Sequence, residues 1–220
     1  MISHHMPEEF LLDYAAGTLP EAESLVVASH LAMCGDCRRR VAELEEIGAA
    51  LMDVDATEAP AENSLGEIFD RIDNASDGSD VPAAQAIKFD TSTLKTVPAP
   101  LRGYLGSDLS DLNWKKRSAH MEEARLAQDG DTQVSLLRIG AGRKVPVHTH
   151  EGEEFTLVLS GGYSDANGHY LRGDVSVADG TVEHAPIADD DEPCLCLTVR
   201  VGRTRLTGPI ARMFNPLIRS

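Results

Sequence analysis

Residues 28–40 read ASHLAMCGDCRRR, a histidine, three residues, a cysteine, two residues and a second cysteine. If the segment ahead of Cys34 is helical, His30 and Cys34 lie one turn apart on the same face. Cys37 can then fold back toward them over the Gly35-Asp36 bend. Two thiols and an imidazole converging in this way suit tetrahedral zinc. A fourth ligand has to arrive from elsewhere, and His4 and His5 are the nearest candidates. A CxxC redox pair belongs after a strand in a βαβ setting, whereas the surroundings here read helix-turn-helix. Incidental thiols would leave the histidine unexplained. An ion at this point would act as a folding staple. Aromatic residues are only 5% of the chain, and metal-coupled folding in small zinc domains is worth about 10–16 kcal/mol.

The charge balance narrows the choice of partners. A formal net charge of -16 repels nucleic acid and anionic membranes and favours a basic protein. The start, MISHHMPEEF, lacks the charged and apolar regions of a signal peptide. No stretch approaches the roughly 18–20 apolar residues of a membrane span. The expected location is therefore the cytoplasm, where thiols stay reduced and CxxC or CxC pairs point to metal or redox chemistry.

Residues 1–75 read as helices. PEEFLLDYAAG stops at Gly17, PEAESLVVASHLAMC is opened by Pro20, and CRRRVAELEEIGAALMDV carries apolar residues at helical spacing. A fourth helix holds Leu65, Ile68, Phe69 and Ile72 in one stripe, either packed on its neighbours or held out for a partner helix or groove. Residues 76–86 lie in a polar, small-residue stretch that reads as a linker. From residue 87 to 220 the signals are strands: TQVSLLRI, EFTLVLSGGY, DVSVADG and CLCLTVRVG. The spacing predicts a sandwich or barrel.

A second constellation lies in GRKVPVHTHEGEEFTLVLSG. His148 and His150 share one face of a strand, and Glu154 opens the next run after a turn. His184 follows a further strand. Three imidazoles and a carboxylate would accept zinc, iron, manganese or nickel. His120 and His169 have no partner by spacing and are read as surface residues. Cys194 and Cys196 share a strand face opposite Leu195, Leu197 and Val199. They are read either as inert buried thiols or as participants in oxidative sensing near the metal.

The two motifs together resemble a known family. His-x3-Cys-x2-Cys in a helical domain is similar to the signature of zinc-binding anti-sigma domains, and YAAGTLPEAESLVVASHLAMCGDCRRR resembles the ChrR-type subgroup. The stretch from Gly142 to Gly161 resembles the first cupin motif. The second motif is partial, with Gly173 and His184 in place but Asp179, Thr181 and Ala188 departing from it. The resemblance implies two domains, a small all-α zinc-binding helical domain followed by an all-β cupin barrel. It aligns His5, rather than His4, with His30, Cys34 and Cys37 as zinc ligands. It implies His148, His150, Glu154 and His184 as ligands of a cupin metal, Zn2+ or else Fe2+, Mn2+ or Ni2+. The implied activity is regulation without turnover: inhibition of an extracytoplasmic-function sigma factor, released on oxidative stress (singlet oxygen or organic peroxide). The competing class is a metal-dependent cupin enzyme such as a dioxygenase, with the helical domain as an accessory. A DNA-binding zinc module is disfavoured by the charge and by the lack of a basic recognition helix.

Overall fold

The computed structural model describes residues 2–54, 61–74 and 87–208. The region read as a linker, 76–86, lies outside them. The helices are α1 (Glu8–Ala15), α2 (Glu21–Leu31), α3 (Gly35–Val54), α4 (Ser64–Asn74), α5 (Thr91–Thr96) and α6 (Ala99–Arg102). The strands are β1 (Lys115–Ser118), β2 (Met121–Asp129), β3 (Thr132–Ile139), β4 (His148–His150), β5 (Glu154–Ser160) and β6 (Gly162–Ser164). They continue with β7 (His169–Leu171), β8 (Val175–Ala178), β9 (Ile187–Ala188), β10 (Cys194–Val201) and β11 (Thr204–Leu206).

The helix ends follow local chemistry. Gly17, at φ +70°, takes the left-handed turn after α1. Pro20 precedes α2, whose first turn carries Glu21 and Glu23 at the positive end of the helix dipole. The sequence pattern predicts that the second helix runs on toward Cys34 and that the third begins at Cys37. The structure ends α2 at Leu31 and starts α3 at Gly35. Cys34 thus stands at the head of α3, where its Sγ accepts from the Cys37 amide at 3.4 Å, as a capping side chain does.

Two helices were not foreseen. Residues 91–102, read as the start of the strand region, form α5 and α6. Asp90 caps α5 by accepting from the Thr93 amide at 2.6 Å, and Pro98 precedes α6. The strand β2 carries no strand signal in its sequence, because MEEARLAQD has helix-forming composition and little β-branching. Its full-length antiparallel pairing with β3 overrides that preference.

All strand pairings are antiparallel. A six-stranded sheet has the order β1-β2-β3-β10-β5-β8; β11 pairs with β4, and β7-β6-β9 form a third sheet. The expected barrel is therefore an arrangement of three sheets without one closed ladder, with isolated bridges at Lys144–Ile187 and His148–His184. The short strands β4, β6, β7 and β9 run too few residues to continue the hydrogen bonding around.

β10 has two buried faces. Leu195, Leu197 and Val199 join the core under the helices, while Cys194 and Cys196 face inward with Tyr163, Val158 and Ile139. α2 lies across β3, β10 and β5, so Val26 and Val27 share one core with Phe155, Leu157 and Leu197. Phe10 of α1 meets Phe155 edge to face at 4.8 Å. Phe155→Ala should cost about 3–5 kcal/mol of stability, since it removes a fully buried ring from between helix and sheet. A denaturant titration of the whole chain will show it.

Candidate metal centres

The structure brings His5, His30, Cys34 and Cys37 together, their ligand atoms all within 4.8 Å of one another. His30 Nε2 lies 3.2 Å from Cys37 Sγ. His5 Nδ1 lies 3.3 Å from Cys34 Sγ and 3.5 Å from Cys37 Sγ. These spacings fit the edges of a tetrahedron around zinc, roughly 3.5 Å between nitrogen and sulfur for ordinary bond lengths. His30, Cys34 and Cys37 are buried and His5 is exposed. His4 turns away from the group: its ring lies tilted at 36° against Tyr170, centroids 4.3 Å apart, and its Nδ1 lies 3.6 Å from Asp174.

Burial, then the Cys34 contact, push the Cys37 thiol up to about 11. A metal must displace that proton to gain the thiolate. Zinc affinity at this cluster should therefore climb with pH between 6 and 8, about tenfold per unit for each proton displaced. Competition against a chromophoric chelator measures it, and a flat profile would remove Cys37 from the ligand set.

The second group is His148, His150, Glu154 and His184, all buried, with ligand atoms likewise within 4.8 Å. β4 presents both histidines on one face, and Glu154, at the head of β5, reaches them from a different sheet. His150 Nε2 lies 3.1 Å from both Glu154 Oε2 and His184 Nε2. Burial is the main reason the His148 imidazole titrates low, at about 4. Burial alone would raise Glu154, but the His150 contact and the surrounding imidazoles outweigh it and hold the carboxyl at about 2. A carboxylate beside three imidazoles is a donor set suited to a divalent cation.

Outer contacts orient these rings. His148 Nδ1 donates to the Pro146 carbonyl at 2.8 Å, leaving Nε2 for a metal. The buried Asp165 Oδ2 lies 3.5 Å from His184 Nδ1 and has no hydrogen-bond partner among the described residues. Its Oδ1 meanwhile caps the turn to Gly168. No sequence signal singled out Asp165, because its role depends on the β6–β7 turn folding over His184. A cleft of about 410 Å³, solvent space included, opens beside this group and is walled by Leu137, Ile139, Val145, Tyr163, Pro186 and Cys196.

Cys194 and Cys196 lie 3.4 Å apart, sulfur to sulfur, and are fully buried. The Cys194 contact and burial push the Cys196 thiol well above its ordinary range, the condition of an unreactive core thiol. His169, read as partnerless, pairs with Asp189 at 2.9 Å on the surface.

Known proteins match both regions. A zinc-finger family model matches residues 8–38, and the ChrR cupin-like domain model matches residues 105–202. The anti-sigma-E factor ChrR of Cereibacter sphaeroides is 36% identical over 218 residues, which is 99% of each chain. The chain belongs to the ChrR family. A crystal structure of Rhodobacter sphaeroides SigE in complex with the anti-sigma ChrR is also similar, with a TM-score of 0.76 at 36% identity. That match covers 91% of this chain and 100% of the ChrR-family chain. Membership accounts for the pairing of a zinc-finger segment with a cupin-like domain. No helix among the described residues is long and apolar enough to cross a membrane.

Proposed function

We propose that this protein is a cytoplasmic, non-enzymatic anti-sigma factor. Residues 1–75 would bind and inhibit an extracytoplasmic-function sigma factor, residues 76–86 would act as a linker, and residues 87–220 as a metal-binding sensor. Zinc would sit on His5, His30, Cys34 and Cys37, and a divalent metal, zinc for preference, on His148, His150, Glu154 and His184. Oxidative stress (singlet oxygen or an organic peroxide) reaching the second site would release the sigma factor.

The observation that carries this reading is an apolar helix left exposed among the described residues, on a chain that aligns end to end with an anti-sigma factor. Leu65, Ile68, Phe69 and Ile72 of α4 are 65%, 50%, 55% and 61% exposed, and α4 buries no residue. Ile47, Leu51 and Met52 of α3 are exposed as well. Contiguous apolar faces of this kind mark helix-in-groove docking, and the acidic balance suits a basic partner.

The test is a fragment of residues 1–85. It is expected to bind and inhibit a sigma factor from the same genome while failing to respond to the stress. Because the cut uncovers Val26 and Val27, zinc retention serves as the check on folding. A zinc-loaded fragment that does not bind would defeat the proposed division of labour. The cleft beside the second cluster favours the runner-up, a metal-dependent cupin enzyme. Iron in that site of the purified protein would revive it.

A further inference from the structure

The four ligands of the first cluster belong to the first 37 residues, yet two of them are set by residues 173–175. His30 Nδ1 donates to the Gly173 carbonyl at 2.8 Å. This leaves Nε2, the atom facing Cys37, with its lone pair free, as outer partners of metal-binding histidines do. His5 is placed through its backbone neighbours. The Ser3 and His4 amides donate to Asp174 Oδ1 at 2.6 and 2.9 Å. The Val175 amide donates to the His4 carbonyl at 3.0 Å.

Asp174 is only 2% exposed, and its other oxygen accepts from the Leu171 amide at 2.8 Å. Gly173 sits at φ +95°, and a Cβ there would come within 2.8 Å of Ile2 Cδ1, so the N-terminal arm packs against a bare glycine. The segment hangs from β5: the Gly173 amide donates to the Val158 carbonyl at 2.9 Å, and the Val158 amide to the Asp174 carbonyl at 3.1 Å. That same strand begins with Glu154 of the second cluster.

We propose that Gly173, Asp174 and Val175 are positioning residues of the first zinc site, and that residues 2–5 form a latch whose grip on the ion depends on its seat in the β sandwich. This rests on the reading of the first cluster as a zinc site and not on the identity of the protein partner. His5 is the one exposed ligand, so an ion leaves most easily when His5 lifts first. Lifting it requires two amides to leave a buried carboxylate, whose hydrogen bonds are of the stronger, charge-assisted kind. Loss of such an outer partner typically costs 10–100-fold in metal affinity.

The test uses the full-length, zinc-loaded protein in excess chelator. The alkylation rates of Cys34 and Cys37 are read peptide by peptide by mass spectrometry. Asp174→Ala should expose both thiols about 10–100-fold faster than wild type, and Asp174→Asn, which keeps an acceptor for the arm, should fall between. Ser3→Pro removes one donor without touching the sandwich and should also accelerate the reaction. Continued protection of Cys194 and Cys196 in the same digest reports that the sandwich is folded. Where Asp174→Ala loses that protection, the Ser3→Pro rate decides alone. Rates equal to wild type in the folded variants would overturn the latch. Cys34 and Cys37 alkylated as fast with zinc as without it, in the wild type, would overturn the zinc reading instead.

Discussion

Cys34→Ser will strip zinc from the first cluster and unfold the helical segment around it. Cys34 does two jobs: its thiolate would ligate the ion, and its sulfur caps α3 through the Cys37 amide. Serine can keep a cap but is a poor match for a soft thiolate site. Loss of a structural metal belongs to the few single changes that cost more than about 4 kcal/mol. Elemental analysis should show one zinc fewer per chain, circular dichroism should show lost helix, and sigma binding should vanish. Unchanged helix content and sigma binding in a zinc-free variant would show that the knot is dispensable.

Phe69→Asp should weaken sigma binding about 30–700-fold while leaving stability untouched, because the ring is exposed in the free protein. An apolar anchor at the centre of a docking face is worth about 2–4 kcal/mol, and each 1.4 kcal/mol is tenfold in affinity. A charge in its place must also be desolvated. Asp70→Ala, on the opposite side of α4, is the control and should change affinity little. Titration calorimetry with the purified sigma factor separates the two. Equal losses for both variants would mean that α4 acts by overall helix content, not by its stripe.

The motif residues were legible because metal chemistry ties residue type to spacing. His30, Cys34 and Cys37 lie within a single helical turn on either side of a bend, so their convergence follows from the local geometry of α2 and α3. His148 and His150 likewise follow from strand alternation, whereas Glu154 reaches them from a different sheet, because β4 pairs with β11 and β5 with β10 and β8. Long apolar runs such as CLCLTVRV announced a buried strand, but which face met the helices did not show, since both are buried. The strand β2 and the helices α5 and α6 were hidden for the opposite reason: their residues are compatible with more than one local form, and only long-range pairing or packing chooses between them.

What the amino-acid order determined by itself is the two motif cores, His30-Cys34-Cys37 and His148-His150, and the helical-then-strand succession, because both depend on neighbours a few residues apart. Spacing left His4 and His5 open, and the family resemblance aligned His5. Tertiary structure put His5 against the thiols, and it alone decided that Asp165 faces His184 and that Gly173 and Asp174 hold the arm. Those contacts join residues 19 to 171 positions apart. Folding brings such groups to hydrogen-bond range through the burial of a shared core, and no periodicity along the chain records it.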